Sequence, residues 1–465
     1  METLENTLNI KNENKRIGSN FLGILNDLKR RPEDAAKELN VTTAEISLII
    51  KGERKLTPEM VTRAAEIWSI NERDFYIIRD DCNFGVKIMT STNSEKSSRI
   101  MDRAGKPYYE YRDTVMSSLA PFRPEWIMEL CYVDDNDPKN PNAQWNRGHF
   151  MHQFTYFVGD VNFYYLDSDG KKQVAVMNTG DSMYITPFTP HTFTTRSGAK
   201  QNGLILALTY GNKLAADTQQ ELSAIGKELS LPYWLDFSSR KNAFAVLLNF
   251  HRNCASLSFE ELEKRTSINK EKLIQYENSS EIPSYETIVS LATAMNVNAR
   301  DLLPNDVIED KVIVQYYKDS AKWYFPQTTK AYEIVELAHS RNLPFSKAFE
   351  FTTLKENDSN SLEELDLIVG LHQYIYNVGE NIVHLNWKIN NESHLEELKP
   401  GDSAYIKPNV PHNFRSKGKL MVLRIAGRVA GDAQRELSSL DKNDAHRAIS
   451  EVSMWFDPLE KTNTG

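Results

Sequence analysis

GDSMYITPFTPHTF runs from Gly180 to Phe193, and GDSAYIKPNVPHNF runs from Gly401 to Phe414; nine of the fourteen positions are identical. Upstream, His152-Gln153-Phe154 is answered by His372-Gln373-Tyr374, and FVGD ending at Asp160 by NVGE ending at Glu380. A repeat with an offset of about 220 residues is a domain duplication, not a solenoid. Around each copy lie short alternating segments with tight turns, such as QFTYFVGDVNFYYLD and KKQVAVMNTGDSMYI. Many short strands with tight turns predict an antiparallel barrel or jelly roll.

Working outward, each β-rich stretch follows a helical one. FLGILNDLKRRPEDAAKELNVTTAEISLIIKGERKLTPEMVTRAAEIW carries apolar residues at helical spacing, and Thr57-Pro58 reads as a cap with proline at the first helical position. FEELEKRTSINKEKLIQYENSSEIPSYETIVSLATAMNVNARDLL has the same plan. Both resemble helix-turn-helix domains of the phage-repressor type. The run G-D-S-x-Y-I-x-P-x-x-P-H-x-F resembles the second motif of cupins. The expected fold class is therefore α+β, with two tandem repeats, each an all-α helix-turn-helix domain followed by a β-barrel (jelly-roll) cupin domain. The expected boundaries are a flexible tail over 1–18, a helix-turn-helix over 19–80, a cupin over 95–235, a second helix-turn-helix over 240–305 and a second cupin over 310–458. The last few residues also read as a flexible tail.

Composition narrows the class. The 465 residues carry a net charge of −9, which argues against a large nucleic-acid-binding surface. Cys82, Cys131 and Cys254 are scattered and form no C-x-x-C pair, as expected of reduced thiols in a cytoplasmic protein. The polar N-terminus has no apolar signal region, and no apolar run is long enough to span a membrane.

Cupins place metal ligands on facing strands: a His, a carboxylate about four residues on, and a second-motif His. Here His149 is followed by Gln153 where a carboxylate is usual, and His191 supplies the second motif. A spacing of four on a strand puts His149 and Gln153 on one face. His152 is a rival ligand, but it lies three from His149 and recurs as His372. The repeat is a control: His412 matches His191 and Gln373 matches Gln153, but Val369 stands where His149 does. One metal site in the first cupin is expected, with the second cupin structural and metal-free. Gln recurs in both halves, so at this point Gln153 is either a ligand or a hydrogen-bonding neighbour of the metal. Two imidazoles with oxygen donors and open positions suit Fe(II), with zinc as the competitor.

From about Asn20 to Pro458 the sequence resembles the tandem helix-turn-helix and cupin enzymes that act on 2-hydroxyethylphosphonate. One branch yields hydroxymethylphosphonate and formate; the other yields methylphosphonate and bicarbonate. Both cleave a carbon–carbon bond with O2 and need no external reductant. The resemblance implies Fe(II), a homo-oligomer, and a phosphonate pocket of Arg103, Tyr111, Asn146, His191 and Lys29, the lysine donated to a neighbouring subunit's site from the first helix of the helix-turn-helix. Lys29 is implied in catalysis too, beside His149, Gln153 and His191. In the hydroxymethylphosphonate branch the third ligand is a Glu six residues before the second-motif His. That position is Ile185 here. The resemblance therefore favours the methylphosphonate branch, with Gln153 as the third ligand.

Helix-turn-helix plus cupin is also the layout of ligand-sensing transcription regulators. The recognition-like segment TTAEISLIIK, Thr42 to Lys51, offers Glu45 and apolar residues where base-reading Arg, Gln or Asn belongs. The helical domains are expected to pack and oligomerise.

Overall fold

Each repeated motif forms a strand, a turn and a second strand: Ser182–Ile185 then His191–Arg196 in the first half, Ser403–Ile406 then His412–Arg415 in the second. The computed structural model describes residues 2–120, 122–211, 214–304 and 310–450. The two strands of each motif enter different sheets. In the first half the larger sheet runs Ser182–Ile185, His152–Val158, Leu204–Tyr210, Phe122–Glu129, Lys106–Asp113, Arg99–Arg103. The second half repeats that order with Ser403–Ile406, His372–Asn377, Gly418–Ile425, Ser346–Thr353, Tyr332–Glu336 and Lys322–Phe325. A smaller sheet completes each half, Val161–Leu166 pairing with His191–Arg196 and Val383–Ile389 with His412–Arg415.

Alternation along these strands sorts side chains onto two faces. In His152–Val158, Phe157 joins a core of Phe163, Phe193, Met183, Ile185 and Ile205. Gln153 and Thr155 share that inner face with it. His152, Phe154 and Tyr156 point the other way.

The second and third letters of the motif have a further task. Asp181 Oδ1 accepts the backbone N–H of Tyr317 at 2.8 Å, and Ser182 Oγ accepts that of Ala338 at 2.9 Å. Reciprocally, Asp402 Oδ1 accepts from Ser91 N at 2.7 Å and Ser403 Oγ from Val115 N at 2.9 Å. Each motif thus clasps the opposite half of the chain. Strand Val312–Gln315, from the second half, also pairs antiparallel with Ser182–Ile185.

By contacts the chain divides into two compact units, one of residues 1–87, 117–121 and 426–465, the other of 88–116 and 122–425. The first unit holds helices Glu2–Asp27, Pro32–Leu39, Thr43–Ile50 and Pro58–Trp68 around Phe21, Leu25, Ile46, Val61, Trp68 and Phe75. The expected flexible tail over 1–18 gives way to helix Glu2–Asp27, which continues without a break into the core-packed turns of Ile17, Phe21 and Leu25. Gly18 permits this: a Cβ there would lie 2.4 Å from the carbonyl oxygens of Ile49 and Ile50, so the two helices meet backbone to backbone. In Thr43–Ile50, Ile46 and Ile49 are buried, and Glu45 closes a capping box with Thr42 while pairing with Arg54. The second helical group, Arg240–Cys254, Phe259–Thr266, Lys270–Glu277 and Tyr285–Met295, packs around Phe244, Leu248, Leu262, Leu273 and Leu291 within the larger unit. The expected C-terminal tail, and residues 451–458 of the second cupin span, lie outside the described residues. Among the described residues no helix is long and apolar enough to cross a membrane.

Candidate metal centre

The segment Asn146 to His149 precedes strand His152–Val158, so His149 sits on a loop and not on the strand that the four-residue spacing implied. Gly148 makes the turn with φ +77°, and a Cβ there would lie 2.5 Å from the carbonyl carbon of Phe188. His149 O accepts from Phe188 N at 2.7 Å. Asn146 Oδ1 accepts from Gly148 N and from His191 N, each at 2.9 Å, and Asn146 N donates to His191 O at 3.2 Å. One asparagine therefore stitches the loop to the strand that carries His191.

His149 Nδ1 donates to Met151 O at 2.8 Å, and His191 Nδ1 donates to Thr189 O at 2.8 Å. A carbonyl only accepts, so each Nδ1 carries a proton, and in the neutral tautomer each Nε2 is an acceptor; Asn146 Nδ2 lies 3.2 Å from that of His191. The rings meet edge to face with centroids 5.2 Å apart. Burial pushes the His191 pKa down to about 3, so that ring is neutral at physiological pH.

Gln153, 4% exposed, brings Oε1 to 2.8 Å from His149 Nε2 and donates Nε2 to Thr155 Oγ1 at 2.9 Å. With His149 in its neutral Nδ1–H tautomer these are two acceptors at hydrogen-bond distance, a pair that a cation between them satisfies: donors about 2.1 Å from a metal and at right angles to one another stand about 3 Å apart. The residues fit a metal of the two-imidazole, one-oxygen kind. Among the described residues no group of three or more His, Cys, Asp or Glu side chains has this convergence; an amide completes the set. Ile185 pairs directly with Gln153 across the sheet and is fully buried, so it gives the site a hydrocarbon wall.

Arg103 ends strand Arg99–Arg103. Its Nη1 donates to Gln144 O at 2.6 Å and to Thr192 Oγ1 at 3.1 Å, and its guanidinium lies 4.6 Å from the ring centroid of Tyr109 and 5.1 Å from that of Tyr108. Its charge is felt at His191, the neighbour of Thr192. Tyr111 meets Tyr109 edge to face at 5.8 Å. Burial, then the charge of Glu125, pushes the Tyr111 hydroxyl up to about 12, so it is a hydrogen-bond donor at neutral pH. Glu129, which feels the charge of Arg103, is fully buried with neither carboxyl oxygen hydrogen-bonded; burial holds it well above the usual carboxylate range, against the pull of Arg103. Lys29, in the smaller unit, lies past the end of helix Glu2–Asp27 and not on it. Its φ is +58°, and Nζ reaches Asp27 O at 3.2 Å.

His152 stands apart from this group. Its Nδ1 bonds Tyr184 OH at 2.7 Å and its ring stacks on Tyr184 and Tyr210. His372 bonds Tyr405 OH at 2.7 Å in the same way.

The second half arranges the matching residues differently. His412 Nδ1 donates to Val410 O at 2.8 Å, as His191 does to Thr189. Gln373, however, directs Nε2 to His412 Nε2 at 3.3 Å, and its Oε1 accepts from Arg424 Nε at 3.1 Å. Arg424 faces Gln373 across the strands, where Thr209 faces Gln153 in the first half. Val369 O accepts from Asn409 N at 2.7 Å, as His149 O does from Phe188 N. The sequence reading missed Arg424, Thr155 and Glu129. An Arg on an inner strand face was the available signal for the first.

No family model matches the sequence. Over 443 residues the chain is 57% identical to methylphosphonate synthase from Nitrosopumilus maritimus, covering 95% of this chain and 96% of that one. Among solved structures, Streptomyces albus HEPD with 2-hydroxyethylphosphonate and Fe(II) bound matches with a TM-score of 0.88 and 33% identity, covering 96% of this chain and 99% of that one. PhpD with cadmium and hydroethylphosphonate, 16% identical with a TM-score of 0.70 over 92% of this chain and 98% of that one, shares the fold. With more than half of its residues shared along nearly the whole of both chains, the protein belongs to the methylphosphonate synthase family.

Proposed function

We propose that this protein converts 2-hydroxyethylphosphonate and O2 to methylphosphonate and bicarbonate, using Fe(II) held by His149, Gln153 and His191. The observation that carries the reading is Gln153 Oε1 standing 2.8 Å from His149 Nε2, beside an isoleucine instead of a carboxylate. Substrate plus O2 contains the atoms of methylphosphonate plus carbonic acid, so no external reductant is needed. Bound Fe(II) supplies the activation of O2 and a Lewis-acidic anchor for the substrate. A neutral amide leaves that anchor one charge more positive than a carboxylate does, which favours an anionic substrate.

The remaining work falls to the chain. Arg103, held by Gln144 and Thr192 and stacked on two tyrosines, offers a fixed cation for the phosphonate. Tyr111 donates a hydroxyl, and Asn146 keeps His191 in register. Lys29 of a neighbouring copy supplies a second cation, which makes the working form a homo-oligomer. Each helical group with its β half is read as a helix-turn-helix domain followed by a cupin barrel, in a cytoplasmic protein. The second barrel is structural: Arg424 stands where a metal would bring positive charge. The use of Glu45 in a cap and an ion pair supports the enzyme over the regulator.

Labelling the hydroxyl-bearing carbon of the substrate with carbon-13 tests the reading. The label is expected in bicarbonate; label accumulating in formate assigns the hydroxymethylphosphonate branch, and no turnover with salt-dependent DNA binding assigns the regulator.

A further inference from the structure

We propose that Thr155 is a positioning residue that satisfies the nitrogen of the Gln153 amide while the amide oxygen is on the metal. The inference rests on the reading of Gln153 as a ligand. A primary amide has a donor end and an acceptor end of nearly equal shape, and only the oxygen serves as a ligand. Something must therefore hold the nitrogen away from the metal. Thr155, two residues on and on the same strand face, accepts Gln153 Nε2 at 2.9 Å. It is fully buried, and its strand partners are Met183 and Ala207, so no polar side chain from those strands competes for the amide.

In the second half Ile375 takes the place of Thr155, Arg424 is added, and the amide of Gln373 is turned end for end. Its nitrogen faces His412 Nε2 and its oxygen accepts from Arg424. The proton inventory fixes this orientation: His412 Nε2 is an acceptor because Nδ1 donates to Val410, and Arg424 is only a donor. Without Thr155, the Gln153 nitrogen has no acceptor while the oxygen is on the metal, and the amide gains by turning its N–H to a neutral His149 Nε2, a bond that a metal must break before it binds.

The test compares Thr155→Val, which keeps the shape and removes the acceptor, with Thr155→Ser, which keeps the acceptor. Fe(II) affinity is titrated anaerobically against a competing chelator, and the melting temperature is read with and without metal. Thr155→Val is expected to weaken Fe(II) binding about 10- to 100-fold, the range for a residue that orients a ligand. Its metal-free melting temperature stays at the parent value, and Thr155→Ser binds within about 3-fold of the parent. Parent-like affinity in Thr155→Val overturns the proposal, as does a Ser variant as weak as a folded Val variant. Should the Val variant not fold, Thr155→Ala, judged by the same affinity, replaces it. Gln153→Leu separates the two layers: if it binds Fe(II) as tightly as the parent, the ligand reading fails, whatever Thr155 does.

Discussion

Arg424 donates from Nε to Gln373 Oε1 at 3.1 Å, and it does so from the strand position that Thr209 holds opposite Gln153. The two halves thus answer one problem, an inward-facing glutamine beside a histidine, in two ways. One half brings the amide oxygen of Gln153 to Nε2 of His149. The other supplies a guanidinium and satisfies the amide.

That contrast predicts a metal count. Val369→His restores the missing imidazole but keeps Arg424, and anaerobic reconstitution is expected to leave about one iron per chain. Adding Arg424→Thr removes the competing cation, and the count is expected to rise toward about two. A second equivalent in Val369→His alone contradicts the role given to Arg424.

Stability gives a second reading of the same residue. Arg424→Met leaves the buried oxygen of Gln373 without its donor, at a cost of about 1–3 kcal/mol. Chemical denaturation of the metal-free protein measures it, and an unchanged midpoint contradicts the hydrogen-bond assignment.

The two histidines are expected to behave unequally. His149→Ala abolishes stoichiometric Fe(II) binding, while His412→Ala leaves the iron content of the first half intact. Iron analysis after gel filtration distinguishes them. Equal losses contradict a single site.

Glu129 predicts a pH dependence. Burial raises its folded-state pKa well above the ordinary carboxylate value near 4.5. The native state therefore binds the proton more tightly than the unfolded chain. Glu129 contributes no penalty below the unfolded pKa, and its cost grows as pH rises from there toward the folded value. Glu129→Gln removes that dependence, so the melting temperature of the variant minus that of the parent should widen between pH 5 and pH 8 by at least about 2 °C. A flat difference means the carboxyl has a partner in solution.

Arg103→Lys tests the phosphonate pocket. Lysine keeps the charge but loses the planar fork that bonds Gln144 and Thr192 and stacks on two tyrosines. KM for 2-hydroxyethylphosphonate is expected to rise about 10-fold or more, with Fe(II) affinity unchanged. A fall in kcat at constant KM contradicts a binding role.

Much of this was legible in the sequence because it is local or repeated. Nine identities in fourteen residues exposed the duplication, and Val369 against His149 exposed the asymmetry. Alternation in QFTYFV put Gln153 inward and His152 outward, where Tyr184 and Tyr210 receive it. The rest depended on partners far along the chain. That Asp181 and Ser182 clasp residues near 317 and 338 follows from no spacing rule. Arg424 and Gln373 meet only through strand pairing across 51 residues. Thr155 looked like an ordinary strand residue until the amide beside it was seen to need an orientation. The four-residue spacing suggested one strand face for His149 and Gln153, whereas a glycine turn and a loop bring His149 in. The helix across residues 2–18 was missed because its polar composition outweighed Ile17 and the packing glycine beside it.

Phosphorus NMR of the product, after Fe(II) is loaded anaerobically and 2-hydroxyethylphosphonate and O2 are added, reads the proposed reaction itself. Methylphosphonate is the expected product, formed without added reductant and lost in His149→Ala. Hydroxymethylphosphonate as the sole product would contradict it.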